Sequence, residues 1–300
     1  PGWWHGLAPL NFGWEACAPG HQFGPAVRHY HLLHYVLEGE GTFLKGGAAH
    51  RVEAGDLFVI RPEEVTTYRA TDYSAAVEAM RTGNAQLAYL GPFSYITATE
   101  RAGAEAVAVQ GVKGTDGGYQ SYIVVSADSD IETLADLQGK TFAFVDPEST
   151  SGNVVPCNEI LNAVPELGLT FDDLHTDGKF FKSAMFAGSH AGSMQAVIQG
   201  NVDAAAVSSS TYENQIEAGN AQEGDLKIIH KSPTIPGSPI AIQKDLPQEL
   251  KDKVKDFLLS YDNPEYFGDE EGKEPERFIA IEDSAYDYIR ELKEKYNLSD

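Results

Sequence analysis

The sequence of 300 residues is long enough for one large domain or two modest ones, and its 42% hydrophobic and 22% charged residues are ordinary for a globular protein. A formal net charge of −23 argues strongly against a nucleic-acid-binding surface, which needs an excess of Lys and Arg. No apolar run reaches the roughly 18 residues that a membrane span requires.

Residues 1–70 have the pattern of a small β-structure. Residues 30–37 are rich in aromatic and aliphatic side chains and predict a strand, a Glu-Gly-Glu-Gly turn follows at 38–41, and further strands are predicted at 42–44 and 57–60. Short strands separated by glycine turns are typical of a sandwich or a barrel. This part carries five basic and seven acidic residues, so nearly all of the net negative charge lies in the remainder.

From residue 71 onward strands alternate with helices, which predicts an α/β fold with largely parallel sheets. Apolar spacing predicts helices at residues 74–81, 131–137, 193–199, 250–259 and 285–296, with a further helix after Gly152. Strands are predicted at residues 85–90, 119–126, 141–145, 202–207, 226–230 and 240–243.

Three consecutive hydroxyl residues lie where the strand at 141–145 precedes the helix that follows Gly152. Ser149, Thr150 and Ser151 stand within Asp-Pro-Glu-Ser-Thr-Ser-Gly at 146–152. A helix N-terminus carries unpaired N–H groups and the positive end of the helix dipole, so hydroxyls beside it suit a tetrahedral oxyanion such as phosphate, sulfate or phosphonate. A single hydroxyl would indicate an ordinary N-cap. Three in a row favour an anion site built from hydroxyls and amides rather than Lys or Arg.

No catalytic arrangement stands out in the sequence. A nucleophile-elbow motif and a Gly-rich nucleotide loop with a Lys are both absent, so we expect a protein that is not an enzyme and needs no cofactor. Cys17 and Cys157 lack metal-ligand spacing. A disulfide between them stays open, and two free thiols are the preferred interpretation.

Three histidines near the start of the chain suggest a metal site. His29, His31 and His34 lie too far before Glu38 for the metal-binding motif of a cupin. His29 and His31 would share one strand face, with His34 on the other. We therefore interpret them as strand histidines in an apolar setting and expect no metal.

Residues 71–300 resemble the phosphonate-binding family of ABC-transporter solute-binding proteins. The similar stretches match in order and spacing: Thr-Asp-Tyr-Ser-Ala-Ala-Val-Glu-Ala-Met at 71–80, Ala-Tyr-Leu-Gly-Pro at 88–92, Asp-Pro-Glu-Ser-Thr-Ser-Gly at 146–152, Ala-Gly-Ser-His at 187–190, Gly-Asn-Val-Asp-Ala at 200–204 and Lys-Ser-Pro-Thr-Ile-Pro-Gly-Ser-Pro at 231–239. The resemblance implies a two-lobed periplasmic-binding-protein (type II) architecture that closes on a small anionic ligand. It also implies an ABC permease as partner and a periplasmic or extracellular, surface-anchored location. The signal segment expected for that location is absent from this chain, which opens at Pro1.

Residues 1–70 instead resemble the N-terminal effector-binding cupin of AraC-type transcription regulators. The similarity lies in Gly-His-Gln-Phe-Gly-Pro at 20–25, Leu-His-Tyr-Val-Leu-Glu-Gly-Glu-Gly-Thr-Phe at 33–43 and Ala-Gly-Asp-Leu-Phe-Val-Ile-Arg-Pro at 54–62. It covers about half of such a barrel, and the region after it lacks the strand, helix and strand that normally begin the first lobe. We therefore predict a chimera of a partial cupin-like β segment at 1–70 and a solute-binding region of two α/β lobes at 71–300.

The resemblance to the phosphonate-binding family also implies ligand-binding residues around the hydroxyl triplet. Tyr73 opens a helix, Tyr119 follows a glycine pair that lets the backbone approach a ligand, and His190 precedes a helix, where it can donate to an oxyanion. Ser238 stands where aminoalkylphosphonate binders place an acid, which favours phosphite, phosphate or a small alkylphosphonate. Glu213 is a candidate acid from a second cleft region.

Three functions therefore stay open on the sequence alone. The leading hypothesis is a solute-binding protein for phosphonate, phosphite or phosphate, with the ligand held by hydroxyls and amides at a helix N-terminus. The alternative is an AraC-type effector-sensing cupin fragment. The third is a chimera without a working ligand cleft.

Overall fold

A computed structural model describes residues 32–35, 40–45, 48–54, 57–60, 70–115, 117–268 and 274–298. Four strands precede residue 70, namely β1 (Leu32–Tyr35), β2 (Glu40–Lys45), β3 (Ala48–Glu53) and β4 (Leu57–Ile60). β1 pairs antiparallel with β4, and β2 pairs antiparallel with β3. The predicted strands of this part are thus confirmed. In the described part of the chain they form two separate two-stranded sheets that do not extend either of the larger sheets.

The first lobe is built on a four-stranded sheet in the order β13-β6-β12-β5, with every pairing antiparallel. Its elements are α1 (Tyr73–Arg81), β5 (Leu87–Tyr89), α2 (Pro92–Ala102), β6 (Ala104–Val112), β12 (Pro239–Gln243), α6 (Gln248–Ser260), α7 (Pro264–Phe267), β13 (Glu276–Ala280) and α8 (Asp287–Lys295). Buried apolar side chains of α1, α2 and α8 form one cluster with strand residues of this sheet.

The second lobe is built on a five-stranded sheet in the order β11-β7-β10-β8-β9. Its elements are β7 (Ser121–Ser126), β8 (Thr141–Phe144), α3 (Val155–Ala163), β9 (Ser183–Phe186), α4 (His190–Ile198), β10 (Ala204–Ser208), α5 (Ser209–Glu217) and β11 (Leu226–Lys231). All five residues of β10 are buried. Apolar clusters lie on both faces of the sheet, as expected for a central strand covered by helices on each side.

The two-lobed type II architecture is confirmed, but the prediction of largely parallel sheets is wrong. Among the described strands, only β10 with β8 and β8 with β9 pair in parallel. The reason lies in the chain path, because β6 leads out of the first lobe and β12 leads back into it. The two strands therefore lie side by side in opposite directions, and so do β7 and β11 in the second lobe. Alternating helices and strands along the sequence do not reveal such crossings.

Two crossing segments, residues 113–120 and 232–238, connect the lobes. They are held together by a pair of backbone hydrogen bonds, from Tyr119 N to Ile235 O (3.0 Å) and from Ile235 N to Tyr119 O (2.7 Å). Ile235 is fully buried, which anchors this contact between the lobes. A paired double crossing is a suitable place for hinge bending, because a few backbone angles can change there while both sheets stay intact.

After residue 70, the sequence did not predict six of the described α-helices and strands, namely α2, β6, β9, α5, α7 and β13. Two predicted helices also differ locally. The helix predicted at 131–137 is only a 3₁₀ turn at Ala135–Leu137, since the Asp136 carboxylate accepts the N–H groups of Glu132 and Thr133 and holds that segment in a turn. The helix expected directly after Gly152 begins at Val155, following a π-helical turn at Thr150–Val154. Within the described residues, no helix combines the length and apolar character needed to cross a bilayer.

Candidate functional site

The hydroxyl triplet lies in a tight loop between β8 and α3 that folds back on its own strand. The N–H of Val145 donates to the carbonyl of Gly152 over 3.0 Å. A Cβ at Gly152 would lie 2.3 Å from Val145 Cγ2, so only glycine fits this close approach. Gly152, which follows the three hydroxyl residues, therefore allows the loop to turn them towards the first lobe.

Each hydroxyl of the triplet is buried, but the three have different partners. The Ser149 Oγ accepts the N–H of Gly152 over 3.1 Å, as an N-cap does. The Thr150 Oγ1 accepts the N–H of Phe93, at the start of α2, over 2.8 Å. The Ser151 Oγ, only 1% exposed by residue, has no partner within hydrogen-bond distance among the described residues, although the Tyr119 hydroxyl lies close to it. The loop thus connects the two lobes, and the buried hydroxyl of Ser151 stays available to a ligand.

The base of this loop is fixed by the carboxylate of Asp146. It accepts the backbone N–H of Glu148 over 2.9 Å and also the backbone N–H of Tyr73, at the start of α1. Burial raises the pKa of the Asp146 carboxyl above its usual range. A further contact with the first lobe is made by Ser94 of α2, whose hydroxyl donates to the carbonyl of Glu148 over 3.2 Å.

His190 is held at the start of α4 as a neutral ring. The N–H of Ser208 donates to its Nδ1 over 3.1 Å. A ring nitrogen that accepts carries no proton, so the neutral tautomer has its proton on Nε2 and can donate from there. Burial lowers the pKa of His190 to about 4, and the ring is therefore uncharged at neutral pH.

Two tyrosines lie close to the triplet. The Tyr73 hydroxyl is hydrogen-bonded to Ser149, and burial raises its pKa above the ordinary value. Burial raises the pKa of Tyr119 to about 12, while the nearby hydroxyls of Ser151 and Ser238 partly oppose that rise. Both phenols keep their protons at neutral pH and can act as neutral donors.

These groups border one cavity of about 1050 Å³ between the lobes. All eight predicted ligand-binding residues lie on its wall, namely Tyr73, Tyr119, Ser149, Thr150, Ser151, His190, Glu213 and Ser238. The structure thereby brings together residues that are up to 165 positions apart in the chain. Glu213 lies exposed on the wall, whereas the triplet is buried in it.

Five helical segments begin at this cavity. Its wall includes Tyr73 at the start of α1, Gly91 before α2, Thr150 in the π-helical turn before α3, His190 at the start of α4 and Ser209 at the start of α5. Each start brings the positive end of a helix dipole to the same space. Side chains already accept N–H groups at these starts, namely those of Ala75, Phe93, Gly152, Gly192 and Thr211. No Lys or Arg belongs to the wall among the described residues. The field that favours an anion therefore comes from backbone dipoles and neutral hydroxyls.

Sequence reasoning missed the start of α2 as part of this wall, and from the cleft region at 208–213, where α5 starts, it named only Glu213. The signal for α5 is visible, because Ser-Ser-Ser-Thr at 208–211 is another hydroxyl run at a strand-to-helix junction, and Ser208 is its N-cap. No comparable signal marks α2, which contributes through Gly91 and the N–H of Phe93. The wall also carries carboxylates that were not expected there, from Asp72, Glu217, Glu274 and Glu276.

The predictions for metals and cysteines are tested only in part. The described residues contain no group of three or more His, Cys, Asp or Glu side chains placed to hold a metal ion. His29 and His31 lie outside the described residues, and only the backbone of His34 is described. Cys157 is a buried thiol with its Sγ 3.8 Å from His175 Nε2, whereas Cys17 lies outside the described part.

Comparison with known proteins gives two family matches. The family described as "ABC transporter, phosphonate, periplasmic substrate-binding protein" matches residues 61–286, and the AraC-like ligand binding domain matches residues 10–80. Both resemblances drawn from the sequence are thus confirmed. The two matches overlap between residues 61 and 80, where the sequence pattern changes.

Curated relatives and a solved structure agree with the longer match. The chain is 35% identical over 212 residues to the phosphate-import protein PhnD of Mycolicibacterium smegmatis, covering 69% of this chain and 64% of that protein. It is 31% identical over 223 residues to the phosphonates-binding periplasmic protein of Escherichia coli, covering 73% and 60%. The chain therefore spans somewhat less than two thirds of the length of these relatives.

One similar crystal structure is that of a binding protein component of an ABC phosphonate transporter from Pseudomonas aeruginosa. It has a TM-score of 0.66 and 27% sequence identity, and the match covers 77% of this chain and 74% of that one. The shared architecture is the two-lobed fold described above. With a family match across three quarters of its length, this chain belongs to the phosphonate-binding family of ABC-transporter periplasmic substrate-binding proteins.

Proposed function

We propose that this protein binds a small phosphorus oxyanion between its lobes as the solute-binding component of an ABC transporter. The observation that carries the proposal is the convergence of five helix starts and the buried hydroxyl triplet on one cavity wall that has no Lys or Arg among the described residues. Backbone N–H groups at helix starts are suited to tetrahedral anions. The related proteins are themselves named for phosphate import and for phosphonate binding.

The proposed ligand contacts follow from the hydrogen bonds that residues of the cavity wall already make within the protein. Thr150 accepts an N–H through its oxygen, so its O–H is left to donate. His190 offers its Nε2–H, and Tyr73 and Tyr119 offer protonated phenols. Hydrogen bonds to an ionised acceptor are short and about twice as strong as neutral ones, which allows neutral donors to hold an anion.

Ser238 supports a ligand without an amine close to the triplet. Its hydroxyl lies beside those of Tyr89 and Tyr119 and, unlike a carboxylate, carries no charge to pair with an ammonium group. We therefore propose phosphite, phosphate or a small alkylphosphonate as the ligand. Glu213 is exposed and is proposed to shape the entrance.

Isothermal titration calorimetry of the folded protein tests this proposal against phosphate, phosphite, methylphosphonate and sulfate. We expect heat and 1:1 binding for at least one phosphorus oxyanion, together with a raised melting temperature, because a ligand that binds only the folded state stabilises it. Folded protein that shows no heat with any of these anions would refute the proposal.

Membership of this family suggests a transport role, from which further proposals follow. We propose a periplasmic or extracellular location and an ABC permease as the partner. We further propose that residues 1–70 form a separate cupin-like segment and that residues 71–300 hold the ligand. Deleting residues 1–70 is then expected to preserve anion binding, and calorimetry on the shortened chain measures it.

A further inference from the structure

The three hydroxyls of the triplet differ in what they can still accept. Ser149 accepts the N–H of Gly152, and Thr150 accepts the N–H of Phe93, so both oxygens already use acceptor capacity on the protein. The Ser151 Oγ is buried and without a hydrogen-bond partner in the described structure. A buried hydroxyl left unpaired is unfavourable, so this oxygen is expected to gain its partner from the bound ligand.

The surroundings of the cavity are unfavourable to a second negative charge. The wall carries no Lys or Arg among the described residues, His190 is neutral, and carboxylates of Asp72, Glu213, Glu217, Glu274 and Glu276 also line it. Removing a charge from water without a counter-charge is costly, and the cost rises with the charge of the ion. An oxyanion that keeps one proton has less charge to bury and offers an O–H donor.

From these two observations we propose that the site selects the singly protonated, monoanionic form of a phosphorus oxyacid, with Ser151 accepting the ligand's O–H. This inference rests on the proposed function and specifies the ionic form of its ligand. Sulfate has no proton to donate at neutral pH, so the Ser151 hydroxyl can only donate to it and the lone pairs of the Ser151 oxygen stay without a donor. Ser151 thus acts as a specificity-determining residue that separates phosphorus oxyanions from sulfate.

The pH dependence of binding tests the proposal directly. In calorimetry between pH 5.5 and 8.5, phosphate affinity is expected to fall by about tenfold per pH unit above the second pKa of the ligand, as linkage requires when only the protonated form binds. Hypophosphite stays a monoanion throughout this range and reports any titration of the protein itself. Phosphate affinity that is flat or rises across this range would overturn the inference.

The hypophosphite control is needed because several titratable groups surround the cavity. Tyr73 and Tyr119 have raised pKa values, and His190 has a pKa lowered to about 4, which places His190 outside the measured range. The titratable and charged groups along the wall and its loop are Asp72, Tyr73, Tyr89, Tyr119, Asp146, Glu148, His190, Glu213, Glu217, Glu274 and Glu276. Any contribution from them appears equally with hypophosphite, whereas the ligand's own proton appears only with phosphate.

Two small ligands of the same charge separate the effect of the ligand's O–H from that of its charge, without any change to the protein. Singly charged phosphite keeps an O–H at pH 5.5, whereas hypophosphite is a monoanion without one. We expect phosphite to bind about ten- to hundredfold more tightly, the effect of one hydrogen bond in a charged system. Equal affinities would rule out the acceptor role of Ser151.

Matched variants assign the effect to one hydroxyl. Ser151→Ala is expected to lower phosphite affinity about tenfold at pH 5.5, since it removes the free acceptor. The affinities of phosphite and hypophosphite for this variant are then expected to be similar. Ser149→Ala removes a neighbouring hydroxyl that is already an acceptor, so it is expected to weaken both ligands similarly. If Ser151→Ala keeps the preference for phosphite, another group accepts the proton and the assignment is wrong. Absence of binding by the unaltered protein at every pH would instead contradict the proposed function.

Discussion

The residue on which the loop geometry most depends is Gly152. Its missing side chain lets Val145 approach, and the Ser149 Oγ lies 2.8 Å from where a Cβ would be. The sequence placed a glycine after the three hydroxyls, but it did not show that the glycine packs against its own strand. That contact is tertiary in origin, because it requires the loop to fold back over the end of β8.

Gly152→Ala is expected to destabilise the fold by about 1–3 kcal/mol, the usual range for overpacking a rigid core site. The added methyl would meet the branched Val145 side chain and the loop backbone, which have little room to move. Gly224→Ala is the matched control, since nothing lies within 4 Å of its Cβ position. Urea unfolding of both variants measures the difference, and equal midpoints would contradict the packing argument.

His190 is expected to remain neutral from pH 5.5 to 8, because burial lowers its pKa to about 4. A ring whose folded pKa lies below its unfolded value of about 6.5 contributes stability that is complete above pH 6.5 and is lost as the pH falls towards 4. NMR titration of the ring carbons measures this directly. A midpoint between pH 6 and 7 would show a solvated ring instead.

His190→Gln tests the donor role at the same residue. Glutamine keeps an N–H donor of similar reach, whereas alanine removes it. We expect His190→Ala to weaken anion binding by about tenfold and His190→Gln to lose less, in line with one hydrogen bond to a charged ligand. Calorimetry with phosphate at pH 7 compares the two variants.

At the scale of elements, the loop after β8 joins the lobes through helix starts. The hydroxyl of Thr150 accepts the first free N–H of α2, and the Asp146 carboxylate accepts an N–H from the start of α1. Val154 and Val155 belong to the same apolar cluster as Phe93. Sequence periodicity located α1 but not α2, and it could not show that their starts are bonded to a loop of the other lobe.

Thr150→Val is expected to lower stability by about 1–3 kcal/mol, because it preserves shape but leaves the buried N–H of Phe93 without an acceptor. Thr150→Ser keeps the hydroxyl and is the control. Thermal melting by circular dichroism measures both variants in the absence of ligand. A valine variant as stable as the serine variant would show that the Phe93 N–H finds another partner.

The direction of the strands marks a limit of sequence reasoning at this scale. Element types were mostly predicted correctly, because apolar periodicity reports local burial. The pairing of the strands was not predicted correctly. β6 and β12 are separated by more than 120 residues and lie together only because the chain crosses twice between the lobes. The missing helix at 131–137 has a local cause, the Asp136 side chain, which competes with helix hydrogen bonds.

For the whole molecule, the net charge of −23 and the carboxylates on the cavity wall oppose the approach of an anion. A binding site built from Lys or Arg loses affinity as salt increases, because screening weakens attraction. Here screening weakens repulsion instead. The sign of the salt dependence therefore distinguishes the two kinds of site.

The association rate of phosphate is expected to rise about two- to threefold between 20 and 300 mM ionic strength, since repulsion beyond the Debye length of roughly 10 Å is screened. Potassium gluconate as the salt avoids competition by small anions. Stopped-flow tyrosine fluorescence follows the reaction, and Glu217→Gln, which removes one wall carboxylate, is expected to reduce the salt effect. A rate that falls tenfold with salt would indicate a cationic site.

The division of the chain near residue 70 stays a prediction at this scale. The described strands before it form two small antiparallel sheets, and the family matches overlap across residues 61–80. Deletion of residues 1–70 measures whether the remaining chain folds and binds by itself. We expect folding to be retained, because the core clusters of both lobes consist of residues after position 70.

The sequence alone predicted the chemistry of the proposed site, because capping hydroxyls, a strand-to-helix junction and a shortage of positive charge are local or compositional properties. It also placed Ser149, Thr150 and Ser151 correctly at a helical start. Only the tertiary structure decided that five such starts border one cavity and that Ser149 and Thr150 are already acceptors while Ser151 is not. Those facts depend on the double crossing between the lobes, which brings together residues far apart in the chain and leaves no periodic trace in the sequence.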